Sequence, residues 1–193
     1  MNCHDRRSKT RRGPESKELT KRPMRPGDFS QIKSLMEDIF PMKYPDSYFW
    51  DIAAAAYWSL GIFTANDELI AIVVAGKEFH NDRTIHDKPP EFRYLPEKTV
   101  YMYSIGTKPP YRRLKLSTIL ARDCLRMCRE RGASAVYLHV MAENLAAIRL
   151  YEKLGFKSFA FLAQYYSPYG GDALGKILRF DDKIHSNSEC TAK

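Results

Sequence analysis

The sequence predicts one α/β (α+β) domain in which helices pack against a mixed sheet. Of its 193 residues, 44% are hydrophobic and 12% are aromatic, which is enough for a single core of ordinary size. From 98 to 141 a strand pattern, a helix pattern and another strand pattern follow one another, the order of a parallel crossover unit. Hairpin patterns lie on either side of this unit, so antiparallel strands are expected to flank the parallel pair.

The N-terminal part of the domain is predicted to form one strand and two helices. Leu19 to Met24 forms the strand, and Asp28 is suited to cap the first helix. The apolar face of that helix consists of residues at helical spacing: Phe29, Ile32, Leu35, Met36 and Ile39. Pro41 and Pro45 end this helix, and a second helix follows from 46 to 56.

An antiparallel hairpin is predicted next. The runs from Ser59 to Thr64 and from Leu69 to Phe79 are rich in β-branched and aromatic residues, and Asn66-Asp67 between them is a turn signal. The stretch from His80 to Pro96 is polar and contains prolines, so we expect a loop or an insertion there.

The crossover unit begins with a strand from Lys98 to Thr107. Two prolines then lead into a helix from about Arg112 to Arg131, which Gly132 ends. The inward row of that helix is predicted from its spacing to be Leu114, Thr118, Ala121, Leu125 and Cys128. The second strand of the unit is Ala135 to Met141.

The C-terminal part is predicted to add a helix and a hairpin. The helix runs from Leu145 to Leu154, and Gly155 ends it. The closing hairpin pairs 156–162 with 174–180 around a loop rich in tyrosine and glycine.

Charge divides the chain into an arm, a domain and a tail. The formal net charge is +8, of which residues 1–27 carry +6. Residues 1–18 contain almost nothing apolar, so we expect a flexible basic arm, followed by a domain at 19–180 and a polar tail at 181–193. Because the domain itself is nearly neutral, a specific nucleic-acid partner is not expected.

Several other classes of protein are disfavoured by composition. The longest apolar stretch, Leu69 to Gly76, is too short to span a membrane, and the N-terminus has no apolar signal-peptide region. The four cysteines are Cys3, Cys124, Cys128 and Cys190, and their spacing suits neither a disulfide framework nor a zinc site. We therefore expect a soluble, cytoplasmic protein without a metal.

The first segment that indicates a binding site runs from Ile105 to Thr118. It combines the end of a strand, a proline-containing break and a helix start that carries Arg112, Arg113 and Lys115. A helix N-terminus presents backbone N–H groups and a partial positive charge, so this segment can hold a pyrophosphate. Cations at a helix start are also commonly just solvated, so this pattern leaves both interpretations open.

A second pattern, from Asn144 to Phe156, decides between them. It reads N-x-x-A-x-x-x-Y-x-x-x-G-F, and together with the segment from Ile105 and the strand around His139 it resembles the acetyl-CoA-binding half of the GNAT N-acetyltransferase superfamily. This resemblance implies a mixed, mostly antiparallel seven-stranded sheet flanked by about four helices, with acetyl-CoA as the cosubstrate.

Within that superfamily, the chain resembles the NatF type of N-alpha-acetyltransferase over about 19–180. The resemblance rests on the segments 39–48, 101–106, 137–140 and 165–167. It implies Tyr101 and His139 as the catalytic pair. The residues that it implies along the acceptor peptide are Tyr44, Tyr103 and Tyr166. The residues that it implies for acetyl-CoA are Ile105, Gly106, Thr107, Arg113, Leu114, Lys115, Leu116, Ser117, Thr118, Asn144, Tyr151, Glu152, Lys153 and Leu154.

The chain departs from that type at three places. Lys115 and Ser117 replace the two glycines of the phosphate loop R/Q-x-x-G-x-G/A, where glycine lets backbone N–H groups approach the pyrophosphate. Lys43 stands where relatives have an acidic residue near the incoming peptide. The membrane-associating C-terminal helices of relatives have no counterpart in 181–193, so the membrane association and Golgi location that the resemblance allows are not expected here.

The expected reaction is acetylation of a protein N-terminal α-amino group. Its pKa is near 8, so about a tenth is neutral at pH 7, and His139 is suited to remove the one remaining proton. Two alternatives remain at this point: Nε-acetylation of lysines, for example on histones, and a non-catalytic GNAT-fold binding module. The expected partners are protein or nascent-peptide N-termini, and the chain is expected to act as a monomer or weak dimer.

Overall fold

The computed structural model describes residues 18–76, 95–167 and 171–180, which form a sheet with helices on both faces. The strands are β1 (Thr20–Pro23), β2 (Trp58–Phe63), β3 (Leu69–Ala75), β4 (Thr99–Thr107), β5 (Ala135–Met141), β6 (Lys157–Leu162) and β7 (Ala173–Arg179). The helices are α1 (Phe29–Ile39), α2 (Asp46–Ala53), α3 (Leu116–Glu130) and α4 (Leu145–Lys153). Within the described ranges, no helix is both long and apolar enough to cross a membrane.

The sheet is mixed and mostly antiparallel, in the strand order β1-β2-β3-β4-β5-β7-β6. Only β4 and β5 are parallel among its pairs, and this confirms the predicted crossover unit. Their pairing runs from Thr99 opposite Ala135 to Tyr101 opposite Tyr137. Beyond that point the two strands separate, so the sheet opens at its middle.

The two faces of the sheet carry separate cores. Helices α3 and α4 cover one face, where buried residues such as Val73, Val100, Leu120 and Val136 pack together. Helices α1 and α2 cover the other face over β1 to β4, with Ile32, Phe49, Phe63, Ile72 and Val74 at its centre. Alternation along β5 places Leu138 and Val140 in the α3 core and leaves His139 on the opposite face.

A bulge in β4 changes which face its residues occupy. Val74 pairs with Ser104 but Ala75 pairs with Met102, so the register of β3 and β4 shifts by one residue at Tyr103. The extra residue shifts the alternation by one, because a strand alternates faces at every residue. Met102 and Ile105 pack in the α3 core, whereas Tyr103 packs against Tyr48 on the α2 side.

Two local predictions were wrong. Helix α3 begins at Leu116, not at Arg112, because Arg113 and Lys115 adopt positive φ angles of 70° and 62° that a helix cannot contain. As a result Leu114 is 50% exposed, Thr118 is only partly buried, and the inward row is Leu116, Leu120, Ala121, Cys124, Leu125 and Cys128.

Asp28 stands at the N-cap position of α1 but does not cap it. Its carboxylate accepts hydrogen bonds from the Arg25 backbone N–H at 2.8 Å and from the Arg22 guanidinium at 2.7 and 2.9 Å. The arginine satisfies the carboxylate better than a backbone N–H of the helix would, since a charged donor makes the stronger hydrogen bond.

The remaining boundaries agree with the predictions to within a few residues. The exceptions are α2, which ends at Ala53 instead of 56, and β3, which ends at Ala75 where the predicted strand ran to Phe79. Residues 77–94, most of the predicted loop, lie outside the described residues, as do 1–17 of the predicted arm, 168–170 and the predicted tail at 181–193.

Candidate active site

A cavity of about 890 Å³ opens where β4 and β5 separate. The second half of β4 and the start of α3 form one side of it, and the end of β5 with α4 forms the other. The end of α1 with the residues that follow it, and Tyr166 from the turn after β6, complete the lining: Ile39, Phe40, Pro41, Met42, Tyr44 and Tyr166. Parallel strands that diverge leave backbone groups without a strand partner, so the gap is suited to bind a polar ligand.

His139 lines one end of this cavity, and Tyr101, which does not itself line the cavity, contacts the imidazole. The hydroxyl oxygen of Tyr101 lies 2.9 Å from Nδ1 of His139, and the hydroxyl oxygen of Tyr165 lies 3.0 Å from the same nitrogen. Tyr101 comes from β4 and His139 from β5, so the parallel pairing of these strands sets their separation. Tyr165 comes from the turn after β6, and its ring lies 4.5 Å from the imidazole.

Burial determines the protonation of these groups. It lowers the pKa of His139 to about 4, because the charged imidazolium loses solvation. Burial raises the pKa of Tyr101 well above its usual value, and the neighbouring Tyr165 and Tyr166 phenols add to the rise. At pH 7 the histidine is therefore neutral and able to accept a proton, and Tyr101 keeps its own.

Aromatic side chains form the wall beside this pair. The rings of Tyr101 and Tyr103 lie 4.7 Å apart, and Tyr44 stacks on Tyr48 at 4.9 Å. Burial raises the pKa of Tyr166, and the phenols of Tyr165 and Tyr44 add to this rise. The structure thus brings the three residues predicted along the peptide, Tyr44, Tyr103 and Tyr166, to the lining of one cavity.

The opposite end of the cavity is cationic. Its charged lining residues are Arg112, Arg113, Lys115, Arg149 and Lys153. The backbone N–H groups of the first turn of α3 have no partner within the helix and face the same end. Lys115, directly before that turn, has φ 62° and lets the chain enter the helix with these groups exposed.

One hydrogen bond joins β4 to the start of α3. The hydroxyls of Thr107 and Ser117 lie 2.8 Å apart, and both residues line the cavity. The Nε of Arg112 donates to the carbonyl oxygen of Thr107 at 3.3 Å. The segment between strand and helix is therefore held in place before any ligand arrives.

Comparison with known proteins identifies the family. Residues 29–156 match the acetyltransferase (GNAT) family. N-alpha-acetyltransferase 50 of Danio rerio is 30% identical over 159 residues, which cover 80% of this chain and 85% of that protein. The chain belongs to the GNAT acetyltransferase family. N-alpha-acetyltransferase 60 of Xenopus tropicalis is 28% identical over 151 residues, which cover 74% of this chain and 61% of that protein.

Solved structures confirm the GNAT fold. The crystal structure of Arabidopsis thaliana NAA60 in complex with a bisubstrate analogue has a TM-score of 0.72 at 22% identity, covering 85% of this chain and 100% of that chain. A structure of Arabidopsis thaliana NAA60 in complex with acetyl-CoA has a TM-score of 0.71 at 23% identity, covering 84% of this chain and 98% of that chain.

The residues present fit acetyl-CoA, the cosubstrate of a GNAT acetyltransferase. Its pyrophosphate requires backbone N–H donors and cations, and both are found at the start of α3. Asn144 caps α4 by accepting from the Ala147 backbone N–H at 3.1 Å, and Tyr151 is buried on the same helix. Within the described ranges no group of three or more His, Cys, Asp or Glu is arranged to hold a metal ion.

Most, but not all, of the residues predicted for acetyl-CoA line the cavity of this GNAT domain. Those that line it are Ile105, Gly106, Thr107, Arg113, Lys115, Leu116, Ser117, Thr118, Asn144, Tyr151 and Lys153. Leu114 is exposed outside the lining, Leu154 packs against the α3 core, and Glu152 accepts from Lys176 at 3.0 Å. These three residues do not line the cavity, and their assignment to acetyl-CoA stays a prediction.

Sequence reasoning did not assign two residues that the structure brings to the GNAT site, Arg149 and Tyr165. Arg112, which the sequence placed in the segment suited to a pyrophosphate, also lines the cavity. Arg149 lines the cavity five residues after the cap residue Asn144, and no motif marked it. Tyr165 contacts His139 through a turn that joins two antiparallel strands, and only the fold brings it there.

Proposed function

We propose that this GNAT acetyltransferase transfers the acetyl group of acetyl-CoA to the N-terminal α-amino group of proteins. The observation that carries the proposal is the Tyr101–His139 pair, 2.9 Å apart, at one end of a cavity whose opposite end is cationic and whose wall is aromatic. The relatives at 30% and 28% identity, both N-alpha-acetyltransferases, support the same acceptor.

The cationic end and the gap between strands bind and orient the cosubstrate. The start of α3 and its cations hold the phosphates, and α4 lies along the other side. Acetyl-CoA supplies the acetyl group as a thioester when bound. Backbone N–H groups of β4 beyond Tyr101 that point away from β3 have no strand partner, so they are available to stabilise negative charge on the thioester oxygen.

His139 acts as the general base in this scheme. The acceptor ammonium gives a proton to the neutral imidazole, directly or through one water. The hydroxyls of Tyr101 and Tyr165 at Nδ1 can turn to accept the N–H that this creates, because a phenol is both donor and acceptor. The freed amine lone pair would then attack the acetyl carbon as the carbon–sulfur bond breaks. The proton that the new amide nitrogen loses would pass to the departing thiolate, and His139 would return its proton to solvent, which leaves the acetylated N-terminus and CoA.

The pKa of the acceptor determines how much proton transfer to His139 costs. With its pKa at about 4, proton transfer from an α-ammonium of pKa near 8 costs about 5 kcal/mol, and from a lysine near 10.4 about 9 kcal/mol. A base as weak as His139 is sufficient to deprotonate an α-ammonium but is poorly matched to a lysine ammonium. The structure thus gives no support for the lysine alternative.

Mass spectrometry of acetylated peptides tests this proposal. A peptide with a free N-terminus and one internal lysine is incubated with the protein and acetyl-CoA, and the same peptide with a blocked N-terminus serves as the control. We expect one acetyl group, on the α-amine, and no product from the blocked peptide. Equal labelling of the lysine in both peptides would refute the proposal, and absence of labelling with no binding of acetyl-CoA would favour a non-catalytic domain.

The proposal also covers the oligomeric state, the location and the partners of the chain. We propose that the chain acts alone or as a weak dimer, in the cytoplasm, on extended N-termini and not on nucleic acid. Size-exclusion chromatography with light scattering and imaging of a tagged chain test the first two statements.

A further inference from the structure

Two cations of α4 line the cavity on the side that β5 and α4 form. The lining residues of this helix include Ala146, Arg149, Leu150 and Lys153, and their spacing of i, i+3, i+4 and i+7 is that of one helical face. Arg149 and Lys153 are therefore neighbours on the face that borders the cavity, with Cβ atoms about 5 to 6 Å apart. Both residues are exposed, so the protein itself encloses neither charge.

No carboxylate offsets this pair of cations. In the part of the chain that the structure describes, no ion pair joins Arg149 or Lys153 to an acidic residue. Glu152, which lies between them in the sequence, instead accepts from the buried Lys176 at 3.0 Å. Like charges four residues apart on a helix repel each other, so the pair is unfavourable until an anion binds between its members.

The two cationic groups of the cavity offer different hydrogen-bond donors. The start of α3 combines cations with backbone N–H groups that have no partner within the helix. Arg149 and Lys153 lie beyond the first turn of α4, where backbone N–H groups bond within the helix, so only their side chains can bind an anion. A guanidinium is a planar fork that matches two oxygens of one phosphate, and an ammonium adds a second charge beside it.

Acetyl-CoA also carries its phosphates at two places. The pyrophosphate joins the pantetheine arm to the 5′ carbon of the ribose, and a separate phosphate monoester is attached to the 3′ carbon. The start of α3, with its free N–H groups, suits the pyrophosphate. The monoester carries between one and two negative charges near pH 7, because its second pKa is about 6, and this charge matches a pair of side-chain cations.

We propose that Arg149, with Lys153 beside it, binds the 3′-phosphate of acetyl-CoA and so distinguishes this cosubstrate from acetyl-dephospho-CoA, the same thioester without that phosphate. The inference rests on the proposed function only in that acetyl-CoA is the acetyl donor. Because these cations are exposed, the wild type is expected to bind acetyl-CoA about 5- to 20-fold more tightly than acetyl-dephospho-CoA at low salt. Higher salt reduces this preference by screening.

Two ligands and four variants test the assignment. Calorimetric titration measures the Kd of acetyl-CoA and of acetyl-dephospho-CoA for the wild type, Arg149→Gln, Lys153→Gln, Lys115→Gln and Lys157→Gln. Glutamine removes the charge and keeps a similar helix propensity. Lys115 precedes the start of α3 and serves as the comparison at the pyrophosphate. Lys157 is the control for charge alone, since it is an exposed cation on the edge strand β6 and does not line the cavity.

Arg149→Gln is expected to raise the Kd of acetyl-CoA by about 3- to 10-fold, and Lys153→Gln by about 2- to 5-fold, while each changes the Kd of acetyl-dephospho-CoA less than about 2-fold. Unchanged binding of acetyl-dephospho-CoA also shows that these variants are folded. Lys115→Gln should weaken both ligands to a similar extent, and Lys157→Gln should weaken neither.

Two results would overturn the inference and leave the proposed function intact. One is equal binding of both ligands by the wild type, and the other is an equal loss for both ligands in Arg149→Gln, which would place this arginine at the pyrophosphate. Failure of the wild type to bind either ligand would count against the proposed function itself.

Discussion

The hydroxyls of Tyr101 and Tyr165 converge on one nitrogen, Nδ1 of His139, at 2.9 and 3.0 Å. An imidazole nitrogen has either one lone pair or one proton, so it makes one well-formed hydrogen bond with a phenol at a time. Tyr101 is fixed on a central strand, whereas Tyr165 is 45% exposed in a turn. Tyr101 is therefore the permanent partner of His139, and Tyr165 is the one that exchanges.

Removal of the imidazole tests its role as base. His139→Ala is expected to lower kcat by about 10² to 10⁴-fold at pH 7 with little change in the Kd of acetyl-CoA. The loss shrinks as the pH rises through 8, because the acceptor α-amine then loses its proton without help. Steady-state kinetics from pH 6 to 9 check this. A constant ratio of variant to wild-type kcat across that range would make His139 a structural residue and leave Tyr101 as the proton carrier.

The wild-type pH profile follows from the same pKa. Because the pKa of His139 is lowered to about 4 by burial, the base is already neutral at pH 6 and no histidine titration appears between pH 6 and 7.5. kcat/KM of the wild type should instead change little from pH 6 to about 7.5, because His139 removes the acceptor's proton throughout this range, whereas kcat/KM of His139→Ala should rise with the fraction of neutral amine. A limb near pH 6.5 that disappears in His139→Ala would show that His139 is better solvated than the structure implies.

The hydroxyls of Tyr101 and Tyr165 should contribute unequally to catalysis. Tyr101→Phe is expected to lower kcat more than Tyr165→Phe, since loss of the exposed Tyr165 hydroxyl leaves Tyr101 at Nδ1. For Tyr165→Phe we expect about a 2- to 10-fold decrease in kcat/KM, the range of one neutral hydrogen bond. The same kinetic assay with both variants checks this order, and a larger loss for Tyr165→Phe would make Tyr165 the principal partner.

Lys115 combines a charge with a backbone conformation that favours glycine. Its φ of 62° costs any residue with a Cβ about 1 kcal/mol, so Lys115→Gly should unfold at a higher denaturant concentration than the wild type. Lys115 lines the cavity where we place the phosphates, so both Lys115→Gly and Lys115→Gln should bind acetyl-CoA more weakly, by about 2- to 5-fold. Calorimetric titration at fixed salt separates the two effects. Tighter binding by the Gly variant alone would show that the side chain obstructs the loop.

The sequence predicted the secondary-structure elements better than the tertiary contacts between them. Periodicity and turn residues located the seven strands and four α-helices of the residues that the structure describes, because these signals are local. The role of Asp28 was predicted wrongly because its carboxylate binds Arg22, a tertiary contact. The burial of Leu114 was predicted wrongly because the positive φ angles of its neighbours place it in a loop before α3. Tyr101 and His139 were predicted as site residues only through the motif match to the family. No local signal could place Tyr165, which reaches them from another hairpin.

Glu152 and Lys176 provide the last prediction. Lys176 is only 2% exposed, and its ammonium donates to Glu152, whose side chain is 54% exposed. Removal of the carboxylate leaves a buried charge without its partner, which costs several kcal/mol in the worst case, about 3 to 5. Removal of the ammonium leaves no buried charge without a partner, because the carboxylate of Glu152 is already in contact with water.

Glu152→Gln is therefore expected to lower the free energy of unfolding by about 1 to 3 kcal/mol, and Lys176→Met to leave it unchanged or raise it. The double variant should recover the stability of Lys176→Met, and none of the three should change the Kd of acetyl-CoA more than twofold. Urea unfolding and titration of acetyl-CoA measure both quantities on the same samples. Weakened cofactor binding by Glu152→Gln at full stability would return this glutamate to the acetyl-CoA site, where the sequence resemblance had placed it.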